Sequence, residues 1–161
     1  MKEHKATINA VAILSDDSEV ISASDDGSCI LWDLNRFIRR NIMYSQTYFK
    51  AACYFTDESQ LLTTGSDKKV TYWDAIDCSA IRELEGSKSG EINSIDISSD
   101  GELFATGGGD KLVKVWNYDQ GSVSHVGVGH SSTITKVKFS PDGQRVVSVG
   151  EEGAIMLWSF A

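Results

Sequence analysis

Four phrases ending at or next to a tryptophan recur along this chain of 161 residues: SASDDGSCILWD at 22–33, TTGSDKKVTYWD at 63–74, TGGGDKLVKVWN at 106–117 and SVGEEGAIMLWS at 148–159. The tryptophans, Trp32, Trp73, Trp116 and Trp158, are 41, 43 and 42 residues apart. Other columns agree once the repeats are aligned on them. Six residues earlier stand Asp26, Asp67, Asp110 and Glu152, and ten residues earlier stand Ser22, Thr63, Thr106 and Ser148. Sixteen residues earlier stand Asp16, Asp57, Asp100 and Asp142. A hydroxyl, an acid and an aromatic found together once could be a reaction centre. Found four times at fixed offsets, they define one structural unit repeated along the chain.

Between these columns the sequence alternates as strands do. Val11 and Ile13 open the first repeat and are matched by Ala52 and Tyr54, Ile95 and Ile97, and Val137 and Phe139. A second run holds Val20–Ile21, Leu61–Leu62, Phe104–Ala105 and Val146–Val147, and a third precedes each Trp, from Cys29 and Leu31 to Ile155 and Leu157. Short fourth strands are predicted near Arg40–Met43, Ala80–Leu84 and Val123–Val128. The Asp sixteen residues before Trp lies in SDDS, TDES, SSDG and SPDG. Asp bonds a turning backbone and a following Gly accepts positive φ, so these phrases are predicted hairpin turns. A small antiparallel sheet cannot bury both apolar faces alone and must stack on neighbours.

In period and in these columns the chain resembles the WD-repeat β-propeller family over essentially its whole length. The resemblance implies an all-β, WD40-type propeller fold with four blades, at about residues 3–43, 44–84, 85–128 and 129–161. It also implies a hydrogen-bonded tetrad of His, Ser or Thr, Asp and Trp in each blade. The first repeat supplies His4, Ser22, Asp26 and Trp32, and the fourth supplies His130, Ser148 and Trp158 with Glu152 in place of the Asp. The second and third supply Thr63, Asp67, Trp73 and Thr106, Asp110, Trp116, but Ser45 and Lys88 occupy their His column. Those two networks are expected to be incomplete and their blades less rigid.

Composition narrows the function classes. A formal net charge of −8 opposes binding to phosphate backbones, and the basic run Arg36–Arg40 is interrupted by Phe37 and Ile38. Apolar runs fall far short of the ~20 residues of a membrane span, and no secretory leader is expected. Cys29, Cys53 and Cys78 lie about 24 residues apart without a CxxC or Cys/His pairing, so neither a zinc site nor a disulfide framework is expected, and buried reduced thiols are. No metal, cofactor or catalytic residue is predicted. A Ser, His and Asp set can activate a nucleophile in an accessible pocket, but here equivalent groups recur in every repeat beside a Trp. Gly107–Gly109 lacks the phosphate-loop Lys, and Asp16–Asp17 and Asp25–Asp26 lack the calcium-loop pattern.

Propellers close with about 4–8 blades. Four sets of inner strands with only three outer strands lead to the expectation of a piece of a longer protein, an open part-ring whose last blade lacks its outer strand. Exposed end faces would favour self-association into a closed ring.

Three phrases go beyond what a blade requires: IRELEGSKSGEINSIDI at 81–97, TGGGDKLVKVWNYDQG at 106–121 and HVGVGHSSTITKV at 125–137. They resemble the C-terminal part of the family of cilia- and flagella-associated protein 52. That resemblance implies a non-enzymatic structural scaffold of the cytoskeleton in the cilium or flagellum axoneme, on the inner wall of doublet microtubules. Its expected partners are tubulin and other axonemal proteins, with neither nucleic acid nor membrane. The alternative is a generic cytoplasmic WD40 scaffold that binds peptide segments in a signalling or ubiquitin-ligase complex. The candidate partner face comprises Thr7, Asp25, Tyr48, Ser66, Glu91, Gly109, Thr133 and Glu151. Its mildly acidic character would suit a basic peptide, and solvated loop ends account for the same residues without a partner.

Overall fold

The structure is a computed structural model that describes residues 1–160. Ala161, the last residue assigned above to the fourth repeat, lies outside the described residues. The first sheet contains β1 (Ile8–Ile13), β2 (Glu19–Ser24), β3 (Ser28–Asp33) and β4 (Ile38–Tyr44), and the second β5 (Phe49–Tyr54), β6 (Gln60–Gly65), β7 (Lys69–Asp74) and β8 (Ala80–Glu85). The third contains β9 (Ile92–Ile97), β10 (Leu103–Gly108), β11 (Leu112–Asn117) and β12 (Val123–Val128). Among the described residues the fourth has three strands, β13 (Ile134–Phe139), β14 (Arg145–Gly150) and β15 (Ile155–Ser159). Every sheet is an antiparallel meander, and the architecture is the all-β part-propeller expected from the repeats.

The inner strands β1, β5, β9 and β13 lie side by side in that order. Three apolar cores form where one sheet faces the next. Ile21, Leu31 and Met43 of the first sheet meet Phe49, Leu61 and Trp73 of the second. Leu62 and Tyr72 then meet Ile95, Phe104 and Trp116, and Val113 and Val115 meet Ile134, Val137 and Val146. Aromatic rings meet edge to face across the middle junction, Tyr72 against Phe104 with centroids 6.1 Å apart, while Phe104 stacks on Trp116 and Arg82 lies 4.0 Å over the Tyr72 ring within their own sheets.

The four Asp turns share one geometry. Oδ1 of Asp16, Asp57, Asp100 and Asp142 accepts from the backbone N–H two residues on, at 2.9, 2.8, 3.0 and 3.1 Å. The next residue is left-handed in all four, with φ of +59° at Asp17, +63° at Glu58, +77° at Gly101 and +70° at Gly143. The first two turns thus hold the left-handed conformation without the Gly that favours it. The thiols also depart from expectation: Cys29 is buried, whereas Cys53 and Cys78 are only partly covered.

Candidate interaction face and the networks behind it

The eight candidate face residues fall into four pairs, each tied across the open end of its sheet by one backbone bond. Asp25 N–H donates to Thr7 O at 2.9 Å and Ser66 N–H to Tyr48 O at 3.1 Å. Gly109 N–H donates to Glu91 O at 2.8 Å and Glu151 N–H to Thr133 O at 2.9 Å. All eight therefore sit at equivalent places on one rim. Thr7, Tyr48 and Glu151 are exposed, and the other five are half-buried.

Beside this rim each inner strand carries a bulge. The pairing steps from Ile8 to Ala10, Phe49 to Ala51, Ile92 to Ser94 and Ile134 to Lys136, leaving Asn9, Lys50, Asn93 and Thr135 unpaired in the ladder. A bulge re-aims its side chain, and three of these four reach toward the next sheet. Asn9 Nδ2 donates to Phe49 O at 2.8 Å, and Asn93 Nδ2 to Ile134 O at 3.0 Å. Lys50 Nζ lies 2.9 Å from Asp25 Oδ1 and 3.6 Å from Glu91 Oε2, bridging the rims of three sheets. The Lys50 hydrogen bond, opposed by burial and aided by Asn9, lowers the Asp25 pKa. Burial opposes the Lys50 charge, but Asp25 and Glu91 outweigh it and raise its pKa. Two of the acids expected to give the face its negative character are thus engaged by a lysine whose position no periodicity marks.

The tetrads lie behind the face. In the first sheet Trp32 Nε1 donates to Ser22 Oγ at 2.8 Å, and Ser22 Oγ lies 2.7 Å from His4 Nε2. His4 Nδ1 lies 2.9 Å from Asp26 Oδ2. An ionised carboxylate only accepts, so Nδ1 carries the proton and Ser22 donates to Nε2. Asp26 also accepts from Lys5 N and Ser28 N, both at 2.9 Å, and from Ser28 Oγ. Burial opposes its ionisation, but these hydrogen bonds prevail and hold its carboxyl well below the usual carboxylate range. Ser22 is buried and occupied on both sides, which leaves it unsuited to attack a substrate.

The fourth sheet repeats this chain of contacts. Trp158 Nε1 donates to Ser148 Oγ at 2.7 Å, Ser148 lies 2.6 Å from His130 Nε2, and His130 Nδ1 meets Glu152 Oε1. The longer acid reaches its histidine, but its second oxygen, Oε2, is buried without a hydrogen-bond partner among the described residues.

The middle sheets differ from each other. Both keep the indole bond, from Trp73 to Thr63 Oγ1 at 2.8 Å and from Trp116 to Thr106 Oγ1 at 2.9 Å. In the second sheet the Asp67 carboxylate accepts a single hydrogen bond among the described residues, from Lys69 N at 3.2 Å. In the third, Lys114 Nζ stands 2.6 Å from Asp110 Oδ2 and donates to Gly86 O at 2.6 Å. The cation that pairs this half-buried acid comes from β11, not from the His column, where Lys88 is exposed. A cleft of about 650 Å³ opens there, lined by Lys68, Lys88, Lys114 and Trp116 among others.

Further polar contacts clamp the sheets together. Arg40 pairs with Glu19 and donates to Ala75 O at 2.8 Å, while Tyr54 OH donates to Glu19 Oε1 at 2.9 Å. Asp96 accepts from Phe139 N at 2.7 Å and pairs with Lys138 at 2.5 Å.

Residues 1–33, 48–74, 78–117 and 121–159 match the family described as WD domain, G-beta repeat. The chain belongs to the WD-repeat family. Each matched span closes on the residue after a tetrad tryptophan, which is where the sequence repeat closes as well. Among curated proteins, the WD-repeat chain is similar to cilia- and flagella-associated protein 52 of Chlamydomonas reinhardtii, 52% identical over 160 residues, covering 99% of this chain and 26% of that protein. The proteins of the same name from Mus musculus and Homo sapiens are each 47% identical over 160 residues, with the same shares covered. The chain thus spans about a quarter of the length of the curated relatives it matches.

Proposed function

We propose that the chain is part of a non-catalytic scaffold of cilia and flagella, bound along axonemal microtubules at the inner wall of the doublets. The observation that carries this reading is the similarity over 99% of the chain to proteins named for cilia and flagella, at 46–52% identity across animals and an alga. The geometry supports bracing as the mechanism. Three close-packed cores, two complete tetrads and the clamps of Asn9, Asn93, Arg40 and Asp96 hold the rim loops on a stiff frame. A stiff frame presenting several loops binds through many small contacts without the loss of conformational freedom that flexible loops would suffer. Tubulin and other axonemal proteins are the partners this reading names, with the rim from Thr7 to Glu151 as a contact surface. Serine, histidine and acid side chains serve the frame by bonding one another and the indoles.

The test is to tag the full-length parent protein in a flagellated cell and extract with detergent. The scaffold reading expects the tag to stay along demembranated axonemes and to cross-link to tubulin. Complete release into the soluble fraction would overturn it.

A further inference from the structure

The junction between the second and third sheets is built unlike the two beside it. At the rim, the first and third sheets grip their neighbours through a neutral amide, Asn9 Nδ2 on Phe49 O at 2.8 Å and Asn93 Nδ2 on Ile134 O at 3.0 Å. The same bulge position in the second sheet is Lys50, and its reach to the third sheet is an ion pair, 3.6 Å from Glu91 Oε2. Glu91 follows a connector, Gly86–Gly90, with glycine at both ends, and Gly90 holds φ of +75°, which glycine adopts without strain. Beside that connector opens the cleft lined by Lys88, Lys114 and Trp116. Near the rim end of β6, Thr64 Oγ1 is buried with no hydrogen-bond partner among the described residues. Thr64 pairs with Val70 of the core between these two sheets, and cross-strand pairs share one face of a sheet.

The far end of the same junction is fixed. Phe55 stacks on Tyr118 with centroids 4.1 Å apart, and Tyr118 OH donates to Gln60 Oε1 at 2.7 Å. Tyr72 OH donates to Tyr118 O at 3.0 Å, and Arg82 Nη1 donates to Asp119 O at 2.7 Å.

We propose that this junction is a hinge, pivoting on Tyr118 and held shut at the rim by the charge of Lys50. Asp25, 2.9 Å from Lys50 Nζ, tethers the lysine from the first sheet, so one ammonium group closes the rims of three sheets. Neutralising or screening it frees Glu91 and its connector, and the rim opens beside the cleft while the aromatic end stays packed. The amide clamps on either side carry no net charge and lack this response, so the frame is stiff on both sides of one adjustable junction. Opening changes the separation of the rim pairs Tyr48–Ser66 and Glu91–Gly109, and with it the surface offered to a partner. All the groups involved lie within residues 25–119, inside the row of sheets and not at either end of it. The Lys50 and Glu91 side chains are 21% and 43% exposed, and an ion pair so placed shifts an equilibrium by up to about fivefold.

Thiol labelling of the full-length parent protein, read peptide by peptide in a mass spectrometer, tests the hinge. T64C sets a thiol at a position only 2% exposed, so it reacts when the junction opens. Cys29, 0% exposed in the core between the first and second sheets, reports loosening of the molecule as a whole. Added to T64C, K50M and E91Q should each speed labelling at position 64 by about two- to fivefold, and K50R, which keeps the charge, should not. About 1 M NaCl, where the Debye length falls to about 3 Å, should speed labelling of T64C alike and add nothing to T64C/K50M. E91Q should leave the labelling of Cys29 unchanged. A rate at position 64 that ignores either E91Q or salt would overturn the proposal, and so would Cys29 speeding up in step with it.

Discussion

Replacing Asp26 by Asn separates the tetrad's electrostatics from its shape. The carboxylate accepts from four donors, His4 Nδ1, Lys5 N, Ser28 N and Ser28 Oγ. An amide of the same size offers one oxygen and one NH2 group. Placed toward His4 and Lys5, the NH2 opposes two donors, and placed toward Ser28 it opposes the backbone N–H. Every arrangement leaves a covered donor unpaired, and the remaining bonds lose their charge assistance. An unpaired buried donor costs about 1–3 kcal/mol and a charged hydrogen bond contributes about twice a neutral one, so D26N should cost about 2–4 kcal/mol. The internal control is D67N, because Asp67 accepts a single hydrogen bond among the described residues, from Lys69 N. It should cost less than about 1 kcal/mol. Urea titrations followed by tryptophan fluorescence give the two differences. Amide exchange in β2 and β6 shows whether each loss is local, as repeat architectures allow. The variants also differ in acid. Hydrogen bonding depresses the Asp26 pKa below 3.8, so its contribution is complete above that pH and is lost as pH falls toward the folded-state value. D26N should therefore flatten the stability profile below about pH 4. Equal costs for the two variants, or an unchanged acid profile for D26N, would refute the reasoning.

Lys68 and Lys111 hold φ of +66° and +64° at a column where the first and fourth sheets have Gly27 and Gly153. K68G and K111G should each stabilise the fold by about 0.5–1 kcal/mol in thermal unfolding, the relief of left-handed strain exceeding the entropy of the added Gly. K114M removes the cation from the covered Asp110 carboxylate and should cost about 3 kcal/mol, with amide protection lost first in β10 and β11. E152D removes the orphaned arrangement of Oε2 and should raise the thermal midpoint, with slower exchange of the Trp158 indole proton as the local readout.

Much of this protein follows from short-range pattern. Strand alternation, the Asp turns and the hydroxyl ten residues before each Trp are determined within one repeat. Every tetrad indole bonds its hydroxyl as those columns imply. The fourth strand of the first sheet begins two residues before the predicted stretch because Phe37 takes a left-handed turn just ahead of Ile38. The missing histidines at Ser45 and Lys88 were also legible, along with the expectation of two weaker networks. Tertiary structure made those two networks unequal. Lys114 stands only four residues beyond Asp110, and no spacing rule selects a lysine there, but its second bond, to Gly86 O at 2.6 Å, joins a segment 28 residues away that tertiary packing brings alongside. The same holds for Lys50, whose charge meets acids on both neighbouring sheets, 25 and 41 residues away. Alternation predicts which face of a strand is apolar, but it does not say whether another sheet covers that face. Val11 and Val137 occupy the same column with the same side chain, yet one is exposed and the other buried. Local propensity and turn chemistry act within a few residues and are written in the repeat. Burial and charge pairing depend on which distant segment arrives alongside, and the packing of the sheets alone decided them.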